Sequence, residues 1–280
     1  MNFSPESYLD TLADLKDEEI NLAEAGLALA AYQRPDINLD RYLNHIKRLA
    51  NEVSEHHAAL LDKGANDDLG AQLAALKYVL ADEYDYTGDR ADTHNIDNAS
   101  LIRVIDEAKG LSITLALLYM QSARAQGWNI EGLDIPGRFV CRLEQGGERL
   151  IFDPFENCKV LDAPDLRQML KEALGDEAEL SASYYDPVTN RQILVGLQNF
   201  IKFRKIAMED YEGALEVVDT IRKIDPNEYR LLLDAGVLNA KLNQPQAAIE
   251  ALEGYLTKAP HTRDRYEAEA LLYELRRSLN

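Results

Sequence analysis

The helix sequence "EDYEGALEVVDTIRKIDP" is written a second time, 34 residues on, as "NQPQAAIEALEGYLTKAP". Pro226 and Pro260, Ala214 and Ala248, Leu215 and Ile249, and Val218 and Leu252 all stand 34 apart, which is the tetratricopeptide period. Chance helical periodicity does not align prolines and alanines together. A chain written this way stacks helix pairs, because each pair buries its apolar face on a neighbour. Ala214 and Ala248 read as points of close helix approach. Pro226 and Pro260 read as the first residues of the helices that follow, where a missing N–H costs nothing. Asp225-Pro226-Asn227-Glu228 has the form of an N-terminal cap with an acid in the first turn. Helical repeats are therefore expected over 190–280, closed by a helix from about Thr262 to Ser278, and so short a stack is expected to dock on what precedes it.

Upstream the pattern changes twice. Residues 1–81 carry apolar residues at helical spacing and read as a helical lead-in packing on a core, with "RPDIN" at 34–38 as the break between two helices. Residues 82–180 mix a polar loop rich in Asp and Asn, an apolar helix beginning near Ser112 and two short strands, which makes an α+β core. The fold class expected is α+β, mostly helical, with a small antiparallel sheet followed by the helical stack.

Charge and composition exclude several functions. A net charge of −19 repels phosphate backbones and anionic lipid head groups, so no nucleic acid and no membrane is expected as partner, and a protein or peptide partner would be basic. "MNFSPESYLD" has no basic n-region or apolar h-region, and no apolar run approaches the ~20 residues that span a bilayer, so a cytoplasmic location is expected. Cys141 and Cys158 make neither a disulfide framework nor a metal motif and read as packed, reduced thiols. No cofactor is expected: Gly110, Gly127, Gly132 and Gly137 are scattered over turns without phosphate-cradling chemistry.

The order "AYQRPDINLDRYL", "DEYDYTGDRADTHNIDNASLIRVIDEAKGLSITLALLY", "GLDIPGRF", "FDPF" and "NRQIL", followed by helical repeats, resembles the SirB-type transglutaminase-like/tetratricopeptide repeat family over nearly the whole chain. The resemblance implies a papain-like or transglutaminase-like core, in which a cysteine at a helix start, a histidine on one strand and an aspartate on the next form a triad. Carried onto this chain, Ser112 stands at the cysteine position, where the SirB-type pattern commonly has proline. Arg138 stands where the family has the histidine of Pro-Gly-His-Phe, and Asp153 matches the aspartate.

Residue chemistry points the same way. A helix N-terminus favours a thiolate, but a serine hydroxyl there stays protonated and needs a base. Arg138 stays charged at any physiological pH and cannot be that base. Ser112 is read as a helix N-cap. Cys141, three residues from Arg138 along a strand, points to the opposite face. Adjacent His56 and His57 diverge on a helix and share no metal; they and His45 read as solvated, as do Asp67-Asp68 and Asp82-Glu83, and His261 sits beside a repeat proline. His94, in a polar loop before the core helix, is the one histidine placed to approach the triad positions.

The function expected is a non-catalytic protein-binding or scaffolding module, with Asn199 and Asn239 as candidate peptide-binding residues on the stack. The competing reading is a peptidase, amidase or acyltransferase using Ser112 or a displaced thiol with His94. One geometric expectation is sharper. If Gly146-Gly147 form a two-residue turn, Gln145 faces Glu148, and Arg138 and Asp153 become diagonal neighbours on one face of a hairpin, placed to pair.

Overall fold

Fourteen consecutive residues, Ser112–Ala125, form a helix that buries nine of its side chains, from Thr114 through Ala123, on all sides. A helix apolar all round belongs at the centre of a domain, and this one is the axis on which the first part of the chain is assembled. The computed structural model describes residues 4–32, 34 and 37–279. They fall into two units: Met1–Leu9 with Leu15–Leu194, and Asp10–Asp14 with Val195–Asn280.

In chain order the helices are α1 (Pro5–Thr11), α2 (Leu22–Tyr32), α3 (Asp40–Asp62), α4 (Leu69–Leu76), α5 (Leu101–Glu107), α6 (Ser112–Ala125), α7 (Ala163–Leu174), α8 (Asn190–Ala207), α9 (Tyr211–Ile224), α10 (Arg230–Lys241), α11 (Pro245–Lys258) and α12 (Arg263–Ser278). The strands are β1 (Thr87–Gly88), β2 (Lys109–Gly110), β3 (Asn129–Ile135), β4 (Arg138–Gln145), β5 (Glu148–Asp153) and β6 (Lys159–Leu161). The expected helix break at 34–38 falls partly on Pro35 and Asp36, outside the described residues.

In the first unit α2 lies against α5 and α6, and Gly26 makes the approach close: a Cβ there would stand 3.1 Å from both Leu101 and Leu117. α3 buries one stripe, Tyr42, Ile46, Leu49, Ala50 and Val53, at helical spacing. The sheet runs β3-β4-β5-β6, each pair antiparallel. Two of its strands, β4 and β5, are those legible as "RFVCRL" and "RLIFDPF"; β3 and β6 extend the sheet on either side. Successive side chains alternate faces. Phe152 on one face meets Tyr119 of α6 at 5.8 Å between ring centroids, while Leu133, Ile135, Val140 and Leu161 on the other pack with Leu166 of α7. β1 and β2 form a separate two-residue parallel pair.

In the second unit Ala214, Val217, Val218 and Ile221 of α9 pack on Leu231, Ala235 and Leu238 of α10. Leu252 and Tyr255 of α11 pack with Ala268 and Leu272 of α12. Ala214 and Ala248 are fully buried, as their role in close approach requires. The prolines behave differently from expectation. Pro226 lies in a turn before α10, which starts at Arg230, and Pro260 stands ahead of α12, which starts at Arg263. Asp225 ends α9, and its side chain accepts from Asn227 N at 3.2 Å, so the local hydrogen bond makes a turn where a helix cap was expected. In this unit it is Pro245, at the start of α11, that occupies a first helical turn.

Candidate functional site

α6 opens with Ser112, the residue that the family resemblance sets at the nucleophile position. Leu111 is the residue flanking the helix and makes no side-chain cap. Ser112 is already helical, and its Oγ accepts a hydrogen bond from Phe139 N of β4 at 3.1 Å. The N-cap reading of Ser112 is thus replaced by a tertiary tie, because the neighbouring strand offers a backbone donor that the helix start does not need to supply.

One residue along β4 stands Arg138. Gly146 and Gly147 have φ of +60° and +88°, as the hairpin turn requires, and Gln145 pairs with Glu148. That register brings Arg138 Nη1 to 3.5 Å from Asp153 Oδ2 and 3.8 Å from Glu156 Oε1. Nη1 is buried and, among the described residues, makes no hydrogen bond, so the contact is electrostatic. The guanidinium lies 4.1 Å from the centroid of the Phe155 ring. Gly88 of β1 also lies against that ring, so closely that a Cβ there would overlap it. Arg90 pairs with Glu156, and Thr87 Oγ1 donates to Asn157 Oδ1 at 3.0 Å.

Asp153 is only 2% exposed. Its Oδ1 accepts from Phe155 N at 2.8 Å, capping the tight turn Pro154–Glu156, after which Asn157 and Cys158 have positive φ. Burial pushes the Asp153 carboxyl above its ordinary value, and Arg138 pulls it part of the way back. An aspartate held this way orients nothing that can take a proton, since its partner is a permanent cation.

The other candidate groups are placed elsewhere. Cys141 is fully buried and its thiol is raised well above the ordinary value by burial; Cys158 is buried too, pushed up to about 12. Both are poor sources of thiolate. His94 is exposed in its loop, with its backbone N–H donating to Asp92 Oδ1 at 3.1 Å. His45 and His57 are not solvated as expected. His45 Nε2 meets Tyr86 Oη at 2.7 Å and its Nδ1 meets Arg48 Nη2 at 2.8 Å, while His57 packs edge-on to Trp128. Burial, then Arg48, lowers the His45 pKa.

The transglutaminase-like superfamily model matches residues 40–199, more than half of the chain, and the tetratricopeptide repeat model matches residues 201–273. The chain belongs to the transglutaminase-like superfamily. It is 27% identical to a UPF0162 protein of Xylella fastidiosa over 260 residues, 90% of this chain and 89% of that one. Protein SirB1 of Salmonella typhimurium is 23% identical over 251 residues, 89% of this chain and 91% of the relative. Human F-box only protein 21 is 25% identical over 225 residues, 78% of this chain but only 34% of that protein.

The repeat unit carries a groove of about 530 Å³, lined among others by Leu233, Val237, Lys241, Asp264, Glu267 and Leu271. Neither Asn199 nor Asn239 lines it. Asn239 is buried, and its amide donates to Ala235 O of its own helix at 2.8 Å. Leu233, which stands 34 residues on from Asn199, does line the groove. Three carboxylates, Asp234, Asp264 and Glu267, face it with one lysine, Lys241.

Proposed function

We propose that this transglutaminase-like, tetratricopeptide-containing chain is non-catalytic and acts as a protein-binding module. Its groove would take a basic, partly apolar segment of a partner. The observation that carries the first half is Arg138: a permanent cation stands at the histidine position, stacked on Phe155 and paired with Asp153, so no group at this place can accept the proton of Ser112. The second half is supported by the mixed lining of the groove, aliphatic from Leu233, Val237 and Leu271 and acidic from Asp264 and Glu267.

Two measurements test the reading. The purified chain should not turn over activated esters, and should not react with a fluorophosphonate probe; ester turnover abolished by Ser112→Ala would overturn the non-catalytic half. Short peptides combining lysine with leucine should bind in an anisotropy assay, and Asp264→Lys with Glu267→Lys should abolish binding while the melting temperature holds. Binding untouched by that double change would remove the groove from consideration.

A further inference from the structure

Tyr86 is 1% exposed, and among the described residues its hydroxyl has one hydrogen-bond partner, the His45 ring of α3, whose Nε2 lies 2.7 Å from Tyr86 Oη. The other ring nitrogen, Nδ1, lies 2.8 Å from Arg48 Nη2. A guanidinium only donates, so Nδ1 accepts, and the ring is neutral with its one proton on Nε2, donated to Tyr86. A second proton would have to sit on Nδ1 and face the N–H of a permanent cation. The ring can take it by shedding Arg48, which leaves a half-buried charge, or by turning, which leaves the Tyr86 hydroxyl buried and unbonded.

Tyr86 anchors a strained stretch of chain. Before it runs a π-helix of seven residues, Lys77–Glu83, a form that is rare and concentrated near functional sites. Asp85 has φ of +57°, a left-handed conformation uncommon for a residue with a Cβ. Two residues past Tyr86 stands Gly88, closed against the Phe155 ring on which Arg138 lies. The turn on that side has positive φ at Asn157 and Cys158, and its side-chain ties to this part of the chain, Thr87 to Asn157 and Arg90 to Glu156, are exposed. Backbone bonds from Tyr86 N to Leu80 O and from Thr87 N to Ala108 O hold the main chain. The buried polar side-chain anchor of the stretch is therefore the bond from His45 to Tyr86.

We propose that residues 84–88 form a strap beside the Arg138 position, and that a proton on His45 loosens it, so that access to Phe155 and Arg138 rises in acid. The charged and titratable groups about the ring are Arg41, Arg48 and Glu52 of α3, Tyr84 and Tyr86 of the strap, and Asp106 of α5, which pairs with Arg41. Burial, then Arg48, then Arg41 lower the pKa of the closed ring, and Glu52 opposes them. The loosened form has the ordinary imidazole value of about 6.5 and so binds the proton first. The closed strap is accordingly favoured above about pH 6.5 and loses ground as pH falls below it, by up to about tenfold for each unit by which the closed value is lowered.

Hydrogen exchange of the full chain, followed by mass spectrometry at about pH 7.5 and about pH 5.5 and corrected for the chemical rate, tests the strap. Peptides covering 84–88 should exchange about threefold or more faster at the lower pH, while peptides from α6 keep their protection. His45→Gln should abolish that difference, and Arg48→Met should reduce it. In nuclear magnetic resonance titration of the wild-type chain, the His45 ring should titrate below about 6.5, and nearer to that value in Arg48→Met. The proposal is overturned by equal exchange of 84–88 at the two pH values, by a difference that survives His45→Gln, or by a rise shared with α6, which would make it a property of the whole unit. A His45 titration at or above about 6.5 overturns it too, whether or not the His45→Gln chain folds.

Discussion

Asp153 in the first unit and Lys202 in the second are both buried ions, 2% and 4% exposed, and they are held in different ways. Asp153 is satisfied mainly by backbone, through Phe155 N, and its cation Arg138 reaches it without a hydrogen bond while stacking on a ring. Lys202 donates directly to Asp234 at 2.6 Å, a residue on the wall of the groove, and its ammonium lies 4.9 Å from the centroid of the Phe203 ring. The first arrangement is woven from four separate stretches of chain; the second is made by α8 and α10 alone. Substitution in the first unit should therefore cost stability, and substitution along the groove should cost binding.

The largest effect is expected at the centre of the first unit. Leu117→Ala, in a fully buried position of α6, should cost about 4 kcal/mol in urea denaturation, the loss of transfer energy plus an unfilled cavity. A cost below about 1 kcal/mol would mean that α6 is not the axis of that unit. Gly88→Ala comes next, at about 2 kcal/mol, because its Cβ would overlap the rigid Phe155 ring and push it from under Arg138; an unchanged midpoint would show that the ring moves freely.

A double-mutant cycle with Arg138→Met and Asp153→Asn should give a coupling of about 1 kcal/mol, smaller than a hydrogen-bonded buried pair because no bond is made. The pH dependence sharpens it. The folded carboxyl is raised above the unfolded value of about 3.9, so between the two values the native state binds the extra proton and stability falls as pH rises. Arg138→Met removes the influence that pulls the value down, and should deepen that fall; a parallel pair of pH curves would dissolve the pairing. The smallest effect is expected on the groove wall, where Asp264→Lys should alter stability by less than about 0.5 kcal/mol. A larger loss would erase the contrast between the units.

Local chemistry was legible and long-range chemistry was not. The Gly146-Gly147 turn fixes a register because two adjacent residues with positive φ admit few other conformations, and the Arg138–Asp153 approach follows from it. The hydroxyl of Ser112 was misread because an N-cap is a local rule, whereas its donor, Phe139 N, comes from another element. β3 escaped notice although Ile130, Leu133 and Ile135 are buried along it, since Gly132 interrupts the alternation. Nothing in "YTGDR" announces that Gly88 makes room for an aromatic ring; that is a property of the packed unit.

Gly88, Ser112, Arg138 and Phe155 also set an order of events. Bringing them together closes long loops, and the entropy of closure is spent before any of these contacts forms. The guanidinium settling on Phe155 is accordingly expected late, after the transition state. Arg138→Met should hasten unfolding and leave the folding rate nearly unchanged, so the expected effect of this arginine is on how long the first unit stays closed rather than on how quickly it is made.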